Sequence, residues 1–179
     1  MANLLTAIRL LLVIPVAMAI VNASLFANWF LLVLIVIAIA TDYFDGKVAR
    51  VFKTVSARGM LFDHGTDFIF VTTALFALST IGLSSVLLPL LIVVAFSQYV
   101  LDSYFLFKKK QLRMSFLGRW NGIFYFVPIV LVAASRLPVF EQAQNNFNLV
   151  IVYSNYALTV STLASIVDRA IAPMLQKEV

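Results

Sequence analysis

Apolar runs close to twenty residues long recur from one end of this chain to the other, and no polar stretch between them exceeds about a dozen residues. A helix of that length crosses the roughly 30 Å hydrocarbon layer of a bilayer. Composition agrees, with 63% hydrophobic and 12% charged residues, about half the charged share of an ordinary soluble domain. The expected fold class is all-α: a polytopic membrane protein forming one domain over residues 1–179, with the bilayer as its main apolar solvent. Six transmembrane spans are read, at about 4–22, 27–50, 59–81, 83–107, 118–135 and 148–171. Ala17-Met18-Ala19 mimics a signal-cleavage site. Arg9, however, sits inside the first apolar run rather than ahead of it, so a retained span is expected there.

Charge sorts by side of the membrane. The second-to-third connection and its borders hold Lys47, Arg50, Lys53 and Arg58, and the fourth-to-fifth holds Lys108, Lys109, Lys110, Arg113 and Arg119. Arg9 lies near the start, Arg169 and Lys177 near the end, and the opposite loops carry Arg136 alone. This one-sided distribution places both termini in the cytoplasm. The net charge of +5 then reads as loops facing anionic lipid head groups, not as a nucleic-acid surface. The segment 108–117 is expected to be a basic loop or a turn along the membrane surface. Cysteine is absent, which excludes disulfides and thiolate metal sites.

The acidic residues do not follow that logic. Of eight carboxylate side chains, four fall at Asp42, Asp45, Asp63 and Asp67, near the cytoplasmic ends of spans two and three. Their i,i+3 and i,i+4 spacings put each pair on one helix face. A short turn joins the two helices, which are expected to be antiparallel neighbours with opposed acidic faces. Four carboxylates so placed repel, and they need either ion pairs with Arg50 and Arg58 or bridging cations. Hard oxygen ligands suit Mg²⁺ or Mn²⁺, and the spacing favours metal over ion pairs. Gly46, Ala49 and Gly59 lie beside the cluster, and small residues there let a ligand or a second backbone approach.

The string Asp42-x2-Asp45-Gly46-x2-Ala49-Arg50-x8-Gly59-x3-Asp63-x3-Asp67 resembles, at every fixed position, the signature of the CDP-alcohol phosphatidyltransferase family. The resemblance implies transfer of a phosphate-linked group from a CDP-linked donor to an alcohol, with release of CMP. It implies that the four aspartates hold two ions, Mg²⁺ or Mn²⁺, and that Asp67 is also the general base. Gly46, Ala49, Gly59 and Arg50 correspond to the CDP-binding positions. It further implies a prokaryotic cytoplasmic membrane enzyme, lipid partners and no nucleic acid. Homodimers are common in the family, and the Phe-rich faces, with 16 Phe in the chain, fit a dimer or lipid contact equally.

Two weaker matches concern phosphate and acceptor. Asn3-x2-Thr6-x2-Arg9 is similar to the segment that opens many family members, and a buried Arg there suits phosphate. A capped helix start with a snorkelling Arg explains it equally well. Ser115-x2-Gly118-Arg119 resembles the S-x-x-G-K stretch of members that use glycerol 3-phosphate, making Arg113 and Arg119 candidate acceptor residues. Those members usually carry D-P-x-A-D-K, where this chain has Asp63-His64-Gly65-Thr66-Asp67-Phe68. The Asp63-His64-Gly65 string is instead similar to CDP-amino alcohol phosphotransferases acting on diacylglycerol. His64, about 100° around the helix from Asp63, is expected to face packing or the rim. A transporter is the competing class, with Asp102 and Asp168 as further acids in or near spans. Basic neighbours suffice to pair both.

Overall fold

The computed structural model describes residues 2–51, 56–102 and 116–175, with backbone alone at 2, 3, 49, 50, 57, 58 and 172–175. The helices are α1 (Ala2–Val21), α2 (Phe30–Val51), α3 (Ala57–Thr80), α4 (Leu87–Leu101), α5 (Phe116–Phe124), α6 (Phe126–Ser135) and α7 (Gln144–Leu175), with short 3₁₀ turns at Ala23–Leu25 and Pro138–Ala143. No strand occurs among the described residues. Four helical stretches are long and apolar enough to cross a membrane: Leu4–Val21, Gly59–Thr80, Phe116–Ser135 and Pro138–Ile171. The remaining two are α4, apolar but 15 residues long, and α2, whose 22 residues include Asp42, Asp45, Lys47 and Arg50 in the second half.

Local chemistry sets the helix ends. Ser56 caps α3, its hydroxyl accepting from the Gly59 N–H at 3.0 Å. At the other end Gly82 adopts φ +77°, and the Gly82 and Leu83 N–H groups bond back to the Ser79 and Leu78 carbonyls. That is a glycine C-terminal cap of the Schellman type, and it moves the start of α4 to Leu87, beyond the expected 83. The expected fifth span, 118–135, breaks between α5 and α6. Pro128 has no N–H for the Phe124 carbonyl, and its ring crowds that carbonyl.

Polarity is turned inside out relative to a soluble bundle. Large apolar side chains such as Leu11, at 75% exposure, face outward, whereas Thr6, Arg9, Asp45, Asn121, Asn155 and Ser165 are buried. On α1 the buried stripe is Thr6, Arg9, Val13, Val16 and Ile20, the spacing of one helix face.

That stripe corrects one expectation. α2 and α3 do not pack face to face; α1 packs extensively against both and lies between them, while little direct contact joins α2 to α3. The cause lies in α1 itself. Its stripe carries a threonine and an arginine, which find acceptors only where the two acidic helices converge.

Candidate functional site

Three helices build the acidic centre. α2 supplies Asp42 and Asp45, α3 supplies Asp63 and Asp67, and α1 supplies Thr6 and Arg9. Arg9 is fully buried. Its Nη2 pairs with Asp42 Oδ1 at 3.0 Å, and its Nη1 pairs with Asp63 Oδ1 at 3.2 Å and with Asp67 Oδ1. Its Nε makes no hydrogen bond among the described residues. The Thr6 hydroxyl donates to the Asp45 carboxylate. Sequence spacing singled out the four aspartates, and the resemblance of the opening segment singled out Thr6 and Arg9. Neither revealed that Arg9 pairs with three of the aspartates; on the sequence, ion pairing enters only through Arg50 and Arg58, as the alternative to metal, and their side chains lie outside the described residues.

Charge balance decides what such a centre can do. Among the described residues, three carboxylates pair with one guanidinium and Asp45 adjoins them on Thr6, so acid exceeds base in a cluster where Asp45 is buried and Asp42 is 50% exposed. A partly desolvated excess of that size draws cations. The donors present are carboxylate oxygens and one imidazole, which suits a hard divalent ion. One ligand atom from each of Asp63, His64 and Asp67 lies within 4.8 Å of the other two. The residues therefore fit a divalent metal.

His64 is partly buried and packs on an aromatic neighbour. It lines the main cavity with Asp67 and Phe68, because positions three and four apart share a helix face. The His64 ring meets the Tyr99 ring edge to face at 6.4 Å.

The cavity has a volume of about 500 Å³ and receives residues from every helix except α1. Asp42, His64 and Asp67 contribute to its lining, as do Arg119 and Arg169, so both signs of charge reach it. Its apolar wall includes Phe68 and Phe96, stacked at 4.2 Å between centroids. Arg169 lies 5.1 Å from the Tyr99 ring centroid and 3.9 Å from Asp102, so Asp102 has the basic partner that a structural reading requires. Arg119 is exposed and lines the cavity. Gly46 and Gly59 are partly buried on α2 and α3. Arg113 and the side chains of Asn3 and Ala49 lie outside the described residues.

Comparison with known proteins gives a consistent picture. The CDP-diacylglycerol–glycerol-3-phosphate 3-phosphatidyltransferase of Cereibacter sphaeroides is 31% identical over 137 residues. The match covers 73% of this chain and 61% of that relative, so the chain spans less than two thirds of the relative's length. No solved structure matches. The CDP-alcohol phosphatidyltransferase family matches residues 1–167. With that coverage, an intact signature and its four aspartates gathered on Thr6 and Arg9, the chain belongs to the CDP-alcohol phosphatidyltransferase family.

Proposed function

We propose that this protein transfers a phosphatidyl group from CDP-diacylglycerol to a small polar alcohol, with glycerol 3-phosphate the leading acceptor, and releases CMP. The observation that carries the reading is the four-aspartate cluster, three on one buried guanidinium and Asp45 on Thr6, beside a cavity lined by both carboxylates and arginines. The name of the Cereibacter sphaeroides relative supports the acceptor class.

In this reading Asp42, Asp45, Asp63 and Asp67 hold two divalent ions, Mg²⁺ or Mn²⁺, in a family known to use divalent metals. Bound there, the ions supply charge stabilisation to the pyrophosphate oxygens of the donor. The chain's own residues do the rest. Asp67 lines the cavity and takes the proton of the acceptor hydroxyl as general base. The freed oxygen attacks the phosphorus that bears the diacylglycerol, and the bond from that phosphorus to the CMP oxygen breaks. Arg9 fixes three carboxylates in register, which is the positional part of the catalysis, and is the cation within reach of phosphate oxygens brought to them. Gly46, Ala49 and Gly59 leave room for the cytidine, Arg50 belongs to the nucleotide site, and Asn3 and Thr6 are assigned to phosphate or acceptor. Arg119, Arg113 and Arg169 offer guanidinium donors to an anionic acceptor.

The same reading takes the chain as six spans with both termini cytoplasmic, in a prokaryotic cytoplasmic membrane, with a homodimer as the assembly. The water-soluble acceptor then enters from the cytosol while the lipid tails remain in the bilayer.

The test is CMP release by purified protein with Mg²⁺ or Mn²⁺, CDP-diacylglycerol and a panel of alcohols that includes glycerol 3-phosphate, serine and inositol phosphate. A parallel arm supplies CDP-choline and diacylglycerol. Release in the first arm supports the reading. Release confined to the second assigns the chain to the amino alcohol branch, and silence in both with folded, metal-supplied protein returns transport to the front.

A further inference from the structure

The chain contains a single histidine, His64, and it stands in the acidic centre without being one of the fixed positions of the family signature. On α3 it lies three residues before Asp67, so the two side chains share a helix face, and both line the cavity. One ligand atom each of Asp63, His64 and Asp67 falls within 4.8 Å of the other two, and all three residues are partly exposed. Behind the imidazole stands Tyr99 of α4, itself buried, whose ring meets it edge to face at 6.4 Å between centroids. Packing on Tyr99 uses the imidazole ring. It does not use the nitrogen that stands among the carboxylate oxygens.

Asp63 and Asp67 each give Oδ1 to Arg9, and a carboxylate has a second oxygen to offer. Histidine paired with a carboxylate at i,i+3 is how helical bundles hold di-iron and di-manganese centres; here the order is reversed, histidine first. We propose that His64 is a ligand of one of the two cations, so that Asp63, His64 and Asp67 together form a site of mixed oxygen and nitrogen donors on α3. Mg²⁺ is a hard ion that takes oxygen ligands, whereas an imidazole suits first-row transition ions. The site therefore prefers Mn²⁺ to Mg²⁺. The proposal rests on the metal-holding part of the reading above, and adds to it a ligand residue and a choice between the two ions.

The test is pulsed electron paramagnetic resonance of the full chain in detergent, loaded with Mn²⁺ and free of nucleotide. Because the sequence has one histidine, labelling that amino acid with the heavy nitrogen isotope marks His64 alone. Wild type is expected to show spin-echo modulation from a directly bound nitrogen, which changes to the heavy-isotope pattern on labelling and is lost in His64→Asn. That variant replaces the imidazole with a side chain that offers oxygen. It should weaken Mn²⁺ binding about tenfold, the lower end for disturbing the shell of a metal, and Mg²⁺ binding less than about twofold. In steady-state kinetics the Mn²⁺ concentration for half-maximal turnover should rise about tenfold, while the acceptor KM moves less than about twofold. The isotope experiment needs no variant and decides the matter if His64→Asn does not fold.

An echo from Mn²⁺-loaded wild type that the isotope leaves unchanged overturns the proposal. So does equal weakening of Mn²⁺ and Mg²⁺ binding in His64→Asn. Both results leave the transfer reaction and its aspartate centre intact. Silence with every acceptor, in protein that shows the histidine modulation, overturns the transfer reaction and supports His64 as a ligand. Folded wild type that binds no Mn²⁺ overturns the ligand assignment and the metal-holding reading together.

Discussion

α1 engages one arginine toward each end, its own Arg9 and Arg136 from beyond α6, and the two are used in opposite ways. Near its start, Arg9 of α1 points side-chain donors at Asp42, Asp63 and Asp67. At its end, Arg136, from just beyond α6, donates to the main-chain carbonyls of Ala19 and of Ile20, the latter at 2.6 Å. The second arrangement is complete: a guanidinium satisfies carbonyls that the last turn leaves without donors, and it sits at the negative end of the helix dipole. Among the described residues the first is incomplete, because three carboxylates, with Asp45 adjoining, exceed what one guanidinium neutralises. The same residue type is structural at one end and part of a charge-deficient centre at the other. What distinguishes them is the unmatched acid.

The largest effect expected from this contrast falls on Asp67. Asp67→Asn preserves shape and the Arg9 contact but removes the base, and transfer should fall by at least about a hundredfold. The variant should still fold and bind CDP-diacylglycerol, which CMP-release assays and a lipid-binding measurement on the same preparation will check. Arg9→Met comes next. Removing the partner from buried charges costs about 3–5 kcal/mol, so the variant should melt well below the wild type in chelator and recover much of that loss in excess Mn²⁺. Equal melting with and without Mn²⁺ would break the claim that the two ends differ in charge balance.

Arg136→Met should behave differently. Losing hydrogen bonds from a charged donor costs about 1.5–3 kcal/mol, so its melting temperature should fall with no dependence on Mn²⁺, and turnover per folded molecule should match the wild type. The smallest effect is expected at Gly122, which lines the cavity and where an added Cβ would meet no atom within 4 Å. Gly122→Ala should fold as the wild type does and raise the acceptor KM a few-fold by narrowing the cavity, read in the same kinetics.

The sequence made the membrane class, the acidic residues and their grouping legible because each depends on local spacing. Apolar run length needs no tertiary information, and Asp42 with Asp45, or Asp63 with Asp67, share a face by helix geometry alone. What lies between two helices cannot be read that way. The short turn from α2 to α3 suggested direct packing, yet α1 occupies the groove, a choice made by where Thr6 and Arg9 find acceptors. Arg136 was the lone exception to the one-sided charge map; the structure accounts for it as a helix cap, a contact spanning more than a hundred residues of sequence.

The central claim is that the four aspartates exceed their arginine in order to hold divalent cations. Titration of the purified protein with Mn²⁺, followed by electron paramagnetic resonance in the presence of CDP-diacylglycerol, tests it without reference to turnover. The account predicts two ions bound per chain, with binding lost in an Asp63→Asn, Asp67→Asn double variant and retained in Arg136→Met. Folded wild-type protein that binds no Mn²⁺ under these conditions would contradict it.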